Sequence, residues 1–399
     1  MMMVKAWPLC KVFLLTKSVV LPPVALYRRN YFFLSTAFRF LLVSKGLRNG
    51  FTFIATLRQP PSGETMKPRN HTLADVAAAA GVSYQTVSRV INHSASVAER
   101  TRLKIEAAMA ELHYVPNSLA QQLAGKRPRT LGLATSDLAL SAPAQIASAI
   151  QQRASALNYR LVMAMAGEKG AEGAVQELMA QRVDALLINL PLDSVTASRI
   201  ESAAALPCLF LDVPEEAPVA FCQFSAQAGT RQGVEHLLSL GHRQIALLNG
   251  PAESVAARAR HQGWMSVLQE HQLTPHSVLS GDWSAQSGFR SVVTLIEQGL
   301  PEALLVANDQ MALGALRALH QAGVRIPDDI SIIGYDDTAE SAWYQPPLTT
   351  IRQDFTALGE RSVDWLVEKL TQKEEMAFLP PFAPRLVIRE TTGQPFPGR

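Results

Sequence analysis

Three stretches with helical periodicity come first in the interpretable part of the chain. The first, TLADVAAAAG, begins at Thr72 and ends at a turn at Gly81; the second is YQTVSRVIN; the third runs from about Glu99 to Leu112. The Thr72 side chain suits an N-cap, and Asp75 three residues later completes a capping box. This order predicts a helix-turn-helix with a supporting third helix.

The second predicted helix has a polar face that the chain does not need to bury. Val87 and Val90 can pack on a core. The opposite face carries Tyr84, Gln85, Ser88 and Arg89. This face indicates contact with something outside the protein, and DNA is the usual partner of such a helix. An ordinary three-helix bundle without a DNA role is the alternative.

The segment YVPNSLAQQLAGKRPRT separates these helices from the rest of the chain. Pro116 stops the preceding helix, Asn117 can cap a short helix SLAQQLA, and Gly125 can end it. The basic residues that follow are typical of a linker. We therefore expect a joint between domains here.

After Thr130 the hydrophobic pattern changes to short apolar runs separated by amphipathic helical stretches. The runs are LGLATS, RLVMAMA, ALLINLP, CLFLDVP, QIALLNGP, ALLVANDQ and ISIIGYDD. They predict strands of parallel sheets that helices cover on both faces. Seven strands exceed one small sheet, so we expect two lobes and a cleft, with ligands at the carboxyl ends of the strands.

Composition separates the N-terminal stretch from the remainder. The 399-residue chain is 48% hydrophobic, as expected of a globular protein with more than one domain. The formal net charge is +3, but residues 1–65 hold nine Lys or Arg and the single acid Glu64, so residues 66–399 carry about −5. Any nucleic-acid contact must therefore use a local basic face.

Residues 1–65 are apolar, but charges and prolines interrupt them before they reach the roughly 20 apolar residues of a membrane helix. Translated upstream sequence and a real targeting extension are both compatible with this pattern. We expect the functional protein to begin at Met66, just before KPRNHTLADVA, and to need nothing from residues 1–65.

The sequence motifs indicate neither an enzyme active site nor a metal site. Cys10, Cys208 and Cys222 are odd in number and, like the nine His, lack metal-ligand spacing. The chain has no GxSxG elbow and no Gly-rich phosphate loop joined to a base. We expect a protein of the reducing cytoplasm that is not an enzyme and needs no cofactor or metal.

Seven segments between about Met66 and Thr392 carry a more specific signal: TLADVAAAAGVSYQTVSRVIN, YVPNSLAQQLAGK, LFLDV, GDWSAQSGF, LVANDQMALGALRAL, IIGYDDT and PPLTTIRQDF. Together they resemble the lactose and galactose repressor family, and the YQ pair with NSLAQQLAGK resembles its lactose branch.

The resemblance implies an N-terminal all-α helix-turn-helix headpiece and an α/β two-lobed core of the periplasmic sugar-binding-protein type. The headpiece would span residues 66–114 and the hinge helix and linker 115–129. The core would span 130–393, with lobe 1 at about 130–224 and 355–382 and lobe 2 at about 225–352 and 383–393.

The resemblance implies which side chains contact DNA. Arg89 can bond a guanine edge in two places, and Gln85 offers a donor and an acceptor. Small polar residues would position phosphates, and Leu123 would be an apolar wedge in the minor groove, although a core leucine is the alternative there. The implied contacts are Leu73, Ser83, Tyr84, Gln85, Thr86, Ser88, Arg89, Asn92, Asn117, Ala120 and Leu123.

The core is implied to bind a sugar in its cleft. Carboxylate, amide and guanidinium groups suit hydroxyls, and aromatic faces suit the C–H surface of a sugar ring. Taken singly, Asp336 could cap a helix, Asn308 could be a turn residue and Trp283 could belong to the core. The implied contacts are Leu140, Ala142, Pro143, Ile146, Asn189, Asp212, Phe224, Arg260, Trp283, Asn308, Asp336, Gln353 and Phe355.

These implications favour a repressor that binds a palindromic lac-like operator and is released by a galactoside such as allolactose. The alternatives are a repressor of the same family that responds to another sugar, and a sugar-binding transport protein. Ala256 and Ser141 stand where the lactose branch has serine and histidine, which bears on the identity of the inducer. A homodimer without a tetramerisation helix is expected, because Pro395 and Pro397 disfavour a helix after Thr392.

Overall fold

The structure is a computed structural model, and it describes residues 71–91, 96–115, 129–372 and 379–395. Within these ranges the chain forms a small helical headpiece and a larger α/β core. No helix in the described ranges is both long and apolar enough to cross a membrane.

The headpiece contains the three predicted helices, α1 (Leu73–Ala80), α2 (Tyr84–Ile91) and α3 (Glu99–Glu111). The predicted capping box is confirmed, because the Asp75 amide donates to the Thr72 hydroxyl and the Thr72 amide donates to the Asp75 carboxylate. Gly81 ends α1 with φ at +64°, a left-handed conformation that favours glycine. The helices share a small core built around Val76, Val87 and Ile105.

Lobe 1 of the core is built on a four-stranded parallel sheet in the order β2-β1-β3-β4. Its strands are β1 (Thr130–Thr135), β2 (Arg160–Met165), β3 (Ala185–Asn189) and β4 (Cys208–Phe210). The first three helices of this lobe are α4 (Ser141–Ala156), α5 (Gly170–Ala180) and α6 (Ser194–Ala204). One apolar core lies on each face of the sheet, as the predicted α/β layers require.

Lobe 2 is built on a six-stranded sheet in the order β10-β9-β8-β7-β5-β6, in which only β10 is antiparallel to its neighbour. The strands are β5 (Ile245–Asn249), β6 (Val278–Ser280), β7 (Ala303–Val306), β8 (Ser331–Asp336), β9 (Thr349–Arg352) and β10 (Arg385–Val387). The helices are α7 (Ala226–Leu240), α8 (Val255–Glu270), α9 (Ala285–Gln298) and α10 (Asp309–Gln321).

The chain passes between the lobes after β4, after β9 and before β10. The return after β9 places α11 (Phe355–Thr371) in lobe 1, where it packs against α4. At the crossovers the Ser225 amide donates to the Phe382 carbonyl and the Phe382 amide donates to the Gln223 carbonyl, both at 2.9 Å. These bonds hold the connecting segments side by side, so the two lobes can face each other across a cleft.

The strand predictions were correct for the seven apolar runs but incomplete. β6, β9 and β10 were missed because they are short and contain at most two consecutive apolar residues, whereas the equally short β4 and β7 are apolar throughout. The run RLVMAMA forms β2, and helices α4 and α5 contact it from the two apolar layers, as predicted, but they do not cover it completely. β2 is an edge strand, and Met163 and Met165 are about half exposed, at 48% and 52%.

A buried carboxylate joins the start of α10 to strand β9 and to the segment that follows β8. The fully buried Asp309 accepts hydrogen bonds from the Ser341 and Thr350 hydroxyls, each at 2.6 Å, and from the Thr338 amide at 3.0 Å. Gly334 lies against this carboxylate, where a Cβ would clash with it. Burial raises the pKa of Asp309 to about 6, in spite of the hydrogen bonds that lower it.

The raised pKa of Asp309 predicts a specific pH dependence of stability. In the unfolded chain this carboxyl titrates near its ordinary pKa of about 4, so between pH 4 and 6 the folded chain binds the proton more tightly. The contribution of protonated Asp309 to the free energy of unfolding is complete below pH 4. It is lost as the pH rises through 6, at up to about 1.4 kcal/mol per pH unit. Replacing Asp309→Asn should therefore flatten this part of the curve, as urea unfolding at pH 4 to 7 would measure. Parallel curves for the two proteins would contradict the assignment.

Candidate functional site

One candidate site is the outer face of α2 in the headpiece. Tyr84 is 60% exposed, and Gln85 and Arg89 are also exposed, whereas Val87 and Val90 on the other face are buried. A guanidinium, an amide and a phenol side by side on a short helix form a surface that can enter the major groove of DNA. The structure thus has the predicted two-faced helix, and the DNA contacts of its side chains remain predictions.

The remaining predicted DNA contacts have different surroundings. Ser83 accepts a hydrogen bond from the Thr86 amide at 3.2 Å, and the two hydroxyls are 2.8 Å apart, so Ser83 already caps α2. Ser88 is half-buried, and the half-buried Leu73 packs against the headpiece core. The remaining positions, which lie outside the described residues, are Asn92, Asn117, Ala120 and Leu123.

The second candidate site is a cavity of about 830 Å³ between the two lobes of the core. Its polar side chains come from strand ends, with Asn189 ending β3, Asp336 ending β8 and Gln353 following β9. The carboxyl ends of parallel strands are where ligands bind in such sheets. All thirteen core residues that the resemblance implied line this cavity: Leu140, Ala142, Pro143, Ile146, Asn189, Asp212, Phe224, Arg260, Trp283, Asn308, Asp336, Gln353 and Phe355.

Arg260, on α8, is the central side chain of this cavity. Its guanidinium donates to the Ala307 carbonyl, to Gln353 Oε1 at 2.8 Å and to Asp336 Oδ1 at 3.4 Å. It also lies over the ring of Tyr335, 3.9 Å from the ring centroid. Both Arg260 and Asp336 are less than 10% exposed, so the pair is a buried salt bridge with additional hydrogen bonds.

The two carboxylates predicted for the cavity, Asp212 and Asp336, lie in different lobes, and both hold protons more tightly than free aspartate. Burial raises the pKa of Asp336 to about 7 and that of Asp212 to about 6, and the nearby charge of Arg260 lowers both. The backbone amide of Ala256, at the N-terminus of α8 in lobe 2, also lowers the pKa of Asp212. Asp212 therefore interacts electrostatically with the opposite lobe as well as lining the cavity.

Trp283 and Asn308 hold one wall of the cavity in position. Asn308 Nδ2 donates to the Trp283 carbonyl at 3.0 Å, while its Oδ1 accepts from the Met311 amide at 2.9 Å and caps α10. The capping role considered for Asn308 thus coexists with a place in the cavity. Trp283 has φ at +74°, a strained value for a tryptophan, and its ring lies against Gly250, where any Cβ would clash with it.

The opposite wall is apolar and belongs to lobe 1. Phe224 and Phe355 meet edge to face with ring centroids 5.8 Å apart. Both line the cavity next to the start of α4, which contributes Ala142, Pro143 and Ile146. An apolar wall facing a polar one suits a ligand with one hydroxyl-rich surface and one C–H surface, which describes a sugar ring.

Several residues that line the cavity were not predicted from the sequence. Gln310, Tyr335 and Gln223 directly neighbour predicted residues, and Ser136 ends the predicted strand run LGLATS; these positions are the signals that could have suggested them. The rest of the missed polar set shows no such signal: Glu215, Glu216, Gln227, Glu253, Ser254, Arg258, Gln262 and Ser266. Of the two departures from the lactose branch, Ala256 lines the cavity with a methyl group, and Ser141 lies at the start of α4. Within the described ranges no cluster of His, Cys, Asp and Glu could hold a metal.

Comparison with known families matches both parts of the chain. Residues 72–117 match the family described as bacterial regulatory proteins, lacI family, and residues 234–392 match the periplasmic binding protein-like domain. The chain is 52% identical to the lactose operon repressor of Escherichia coli strain K12 over 335 residues, which are 83% of this chain and 92% of that protein.

Two solved structures are similar to the whole described arrangement. A crystal structure of the lac repressor dimer bound to operator and the anti-inducer ONPF is 51% identical, covers 82% of this chain and 100% of that chain, and gives a TM-score of 0.75. A complex of the transcriptional regulator CelR with cellobiose is 29% identical, covers 80% of this chain and 99% of that chain, and gives a TM-score of 0.62.

The burial of the Arg260–Asp336 pair predicts a large cost for removing one partner. Arg260→Met keeps the length of the side chain but leaves Asp336 buried without a counter-charge, which should lower the free energy of unfolding by about 3 to 5 kcal/mol. Adding Asp336→Asn should recover part of that loss. Arg325→Met is the matched control, because Arg325 pairs with Asp328 and Asp329 on the surface, and it should cost less than about 1 kcal/mol. Equal losses in denaturant titrations of the Arg260 and Arg325 variants would contradict this account.

Proposed function

The chain belongs to the lacI family of bacterial regulatory proteins, and we propose that it represses transcription at a palindromic, lac-like operator and is released by a galactoside. It is a DNA-binding repressor of that family and not an enzyme. The observation that carries the finer proposal is the 52% identity to the lactose operon repressor, which extends over headpiece and core alike. Allolactose is the galactoside that we expect to act as inducer.

The exposed face of α2 supports specific DNA binding. Arg89 has the reach and the two parallel donors needed for the O6 and N7 atoms of guanine, and Gln85 can donate and accept at an adenine edge. Tyr84 extends the same face. We assign Asn92, Ser83, Thr86 and Ser88 to phosphate contacts, and assign Leu123 to the minor groove, with Leu73, Asn117 and Ala120 beside the same duplex.

The side chains that line the cavity suit a neutral, hydroxyl-rich ligand. Asp212, Asp336 and Asn189 offer acceptors, Gln353 and Asn308 offer amides, and the Trp283 and Phe224 rings can contact a sugar face. The methyl group of Ala256 at the cavity wall favours a second candidate within the same family, a repressor that responds to another sugar. The CelR–cellobiose relative has the same fold, so a panel of sugars must include glucosides as well as galactosides.

We assign residues 66–114 to DNA binding, residues 115–129 to a hinge, and residues 130–393 to sugar binding and dimerisation. A two-fold operator requires a symmetric pair of headpieces. The similar solved structure is of a dimer, and exposed apolar side chains such as Trp343 (86% exposed) and Leu313 (43% exposed) offer this chain a surface for a second copy. Such a repressor acts in the cytoplasm, where the operator is.

Removing the Arg89 side chain tests the DNA assignment. Arg89→Ala should weaken operator binding by about 1 to 3 kcal/mol and relax the preference at one base pair, as expected for a bidentate base contact. Arg100→Ala, an exposed arginine on α3, is the control and should change operator and random DNA binding by similar small amounts. Fluorescence anisotropy with operator variants measures both, and an equal loss for Arg89→Ala on operator and random DNA would mean that this residue contacts only phosphate.

Release of operator by sugar tests the function as a whole. Adding allolactose to the protein–operator complex should free the DNA, whereas a sugar-binding transport protein would never have bound it. Asp212→Asn should bind operator normally but need at least about tenfold more galactoside, because it loses charge-assisted hydrogen bonds. Glu297→Gln, an exposed charge on α9, is the control and should respond like the parent protein. Release by glucosides alone would reject the galactoside and favour the second candidate.

A further inference from the structure

Helix α4 begins without a side-chain cap of its own. Its N-cap position is Leu140, which cannot accept a hydrogen bond from the first turn. Six of the other core helices have a side-chain oxygen there that accepts an amide proton of the first turn, from Asp193, Ser225, Ser254, Ser284, Asn308 and Asp354. Those six bonds use the amide of the third helical residue, which in α4 is Pro143 and has no amide proton. The Ser141 amide is the first backbone donor of α4 and takes its acceptor from another part of the structure.

That acceptor comes from the other lobe. The backbone amide of Ser141, the first residue of α4, donates to Gln310 Oε1 at 2.9 Å, although the two residues are 169 positions apart. The Ser141 hydroxyl is occupied separately, because it accepts from Gln145 Nε2 at 2.8 Å. An amide oxygen at this place also opposes the partial positive charge of the helix N-terminus.

Both ends of this hydrogen bond are held firmly within their own lobes. In lobe 1, α4 packs so closely on α11 that a Cβ at Gly359 would meet Ala149, and Arg153 pairs with Asp364 at 2.7 Å. In lobe 2, Gln310 follows the capping residue Asn308 and the triply hydrogen-bonded Asp309. Neither partner can follow the other if the lobes separate, and a hydrogen bond weakens steeply beyond about 3.5 Å.

We propose that Gln310 is a positioning residue of the sugar site: it caps α4 from the opposite lobe and holds the two cavity walls at the separation at which one sugar contacts both. The proposal rests on the function proposed above, since it assumes that the cavity binds a sugar. Gln310 and the first turn of α4 line the same cavity, so the bond spans the space that the ligand enters. Stabilising this arrangement of the lobes favours any ligand that binds it preferentially.

Two substitutions remove this bond from opposite ends. Gln310→Leu removes the acceptor with little change in size. Ser141→Pro removes the donor at the first helical position, where proline is well tolerated, and the extended conformation of Leu140 (φ −81°, ψ 138°) suits a following proline. Ser141→Ala is the matched control, because it loses only the bond to Gln145 and keeps the backbone amide. Gln310→Glu keeps an acceptor oxygen.

Calorimetric titration of the full chain with allolactose, in the absence of DNA, tests the proposal. Gln310→Leu and Ser141→Pro should each weaken sugar binding by about two- to tenfold, the usual net worth of one hydrogen bond. The double variant should be no weaker than either single one. Ser141→Ala and Gln310→Glu should bind like the parent protein or, for the carboxylate, more tightly.

Other outcomes overturn the proposal. If Gln310→Leu weakens binding and Ser141→Pro does not, Gln310 contacts the sugar directly. If the two losses multiply in the double variant, the residues act independently. A parent protein that binds no sugar refutes the proposed function instead, and the inter-lobe bond is then tested by urea unfolding, where a double variant that costs as much as the sum of the single ones would disprove it.

Discussion

The buried guanidinium of Arg260 is the interaction on which the core depends most. It connects a helix, α8, with the ends of three strands, through the Ala307 carbonyl after β7, Asp336 on β8 and Gln353 after β9. A charge buried this deeply is tolerated only when its donors are satisfied, and two of these partners, Asp336 and Gln353, also line the cavity. The same contacts therefore stabilise lobe 2 and shape the site. For this reason Arg260 is a poor position for separating sugar binding from stability, and Asp212 is a better one.

The helix N-termini at the cavity carry much of its polar chemistry. Asn308 caps α10 and orients Trp283, Gln310 accepts from the first amide of α4, and the Ala256 amide in the first turn of α8 lowers the pKa of Asp212. In the last two cases the side chain belongs to the lobe opposite the helix. Relative movement of the lobes would thus break the capping bond of α4 as well as apolar contacts, which gives the cavity a small number of preferred widths rather than a continuous range.

The α2 side chains assigned to contacts with DNA bases are exposed to solvent, whereas those assigned to sugar binding are largely buried in a cavity. The headpiece has a core of a few residues around Val76, Val87 and Ile105, and the side chains proposed to contact DNA bases are exposed on one short helix, α2. The core buries its functional groups, so that burial and opposing charges shift the pKa values of Asp212 and Asp336. A bound sugar can influence DNA binding only by favouring one arrangement of the core over another, because the two sets of residues share no member.

The sequence alone determined the elements whose periodicity is long enough to be detected. The three headpiece helices, the Thr72–Asp75 capping box and seven core strands followed from local patterns, and the thirteen cavity residues came from resemblance to a family rather than from spacing. Tertiary structure alone decided that β2 lies at a sheet edge and that Gln310 caps a helix 169 residues away. The physical reason is that local sequence controls backbone conformation and burial pattern over one or two turns, whereas edges, buried ion pairs and inter-lobe bonds depend on which distant segments come together when the chain folds.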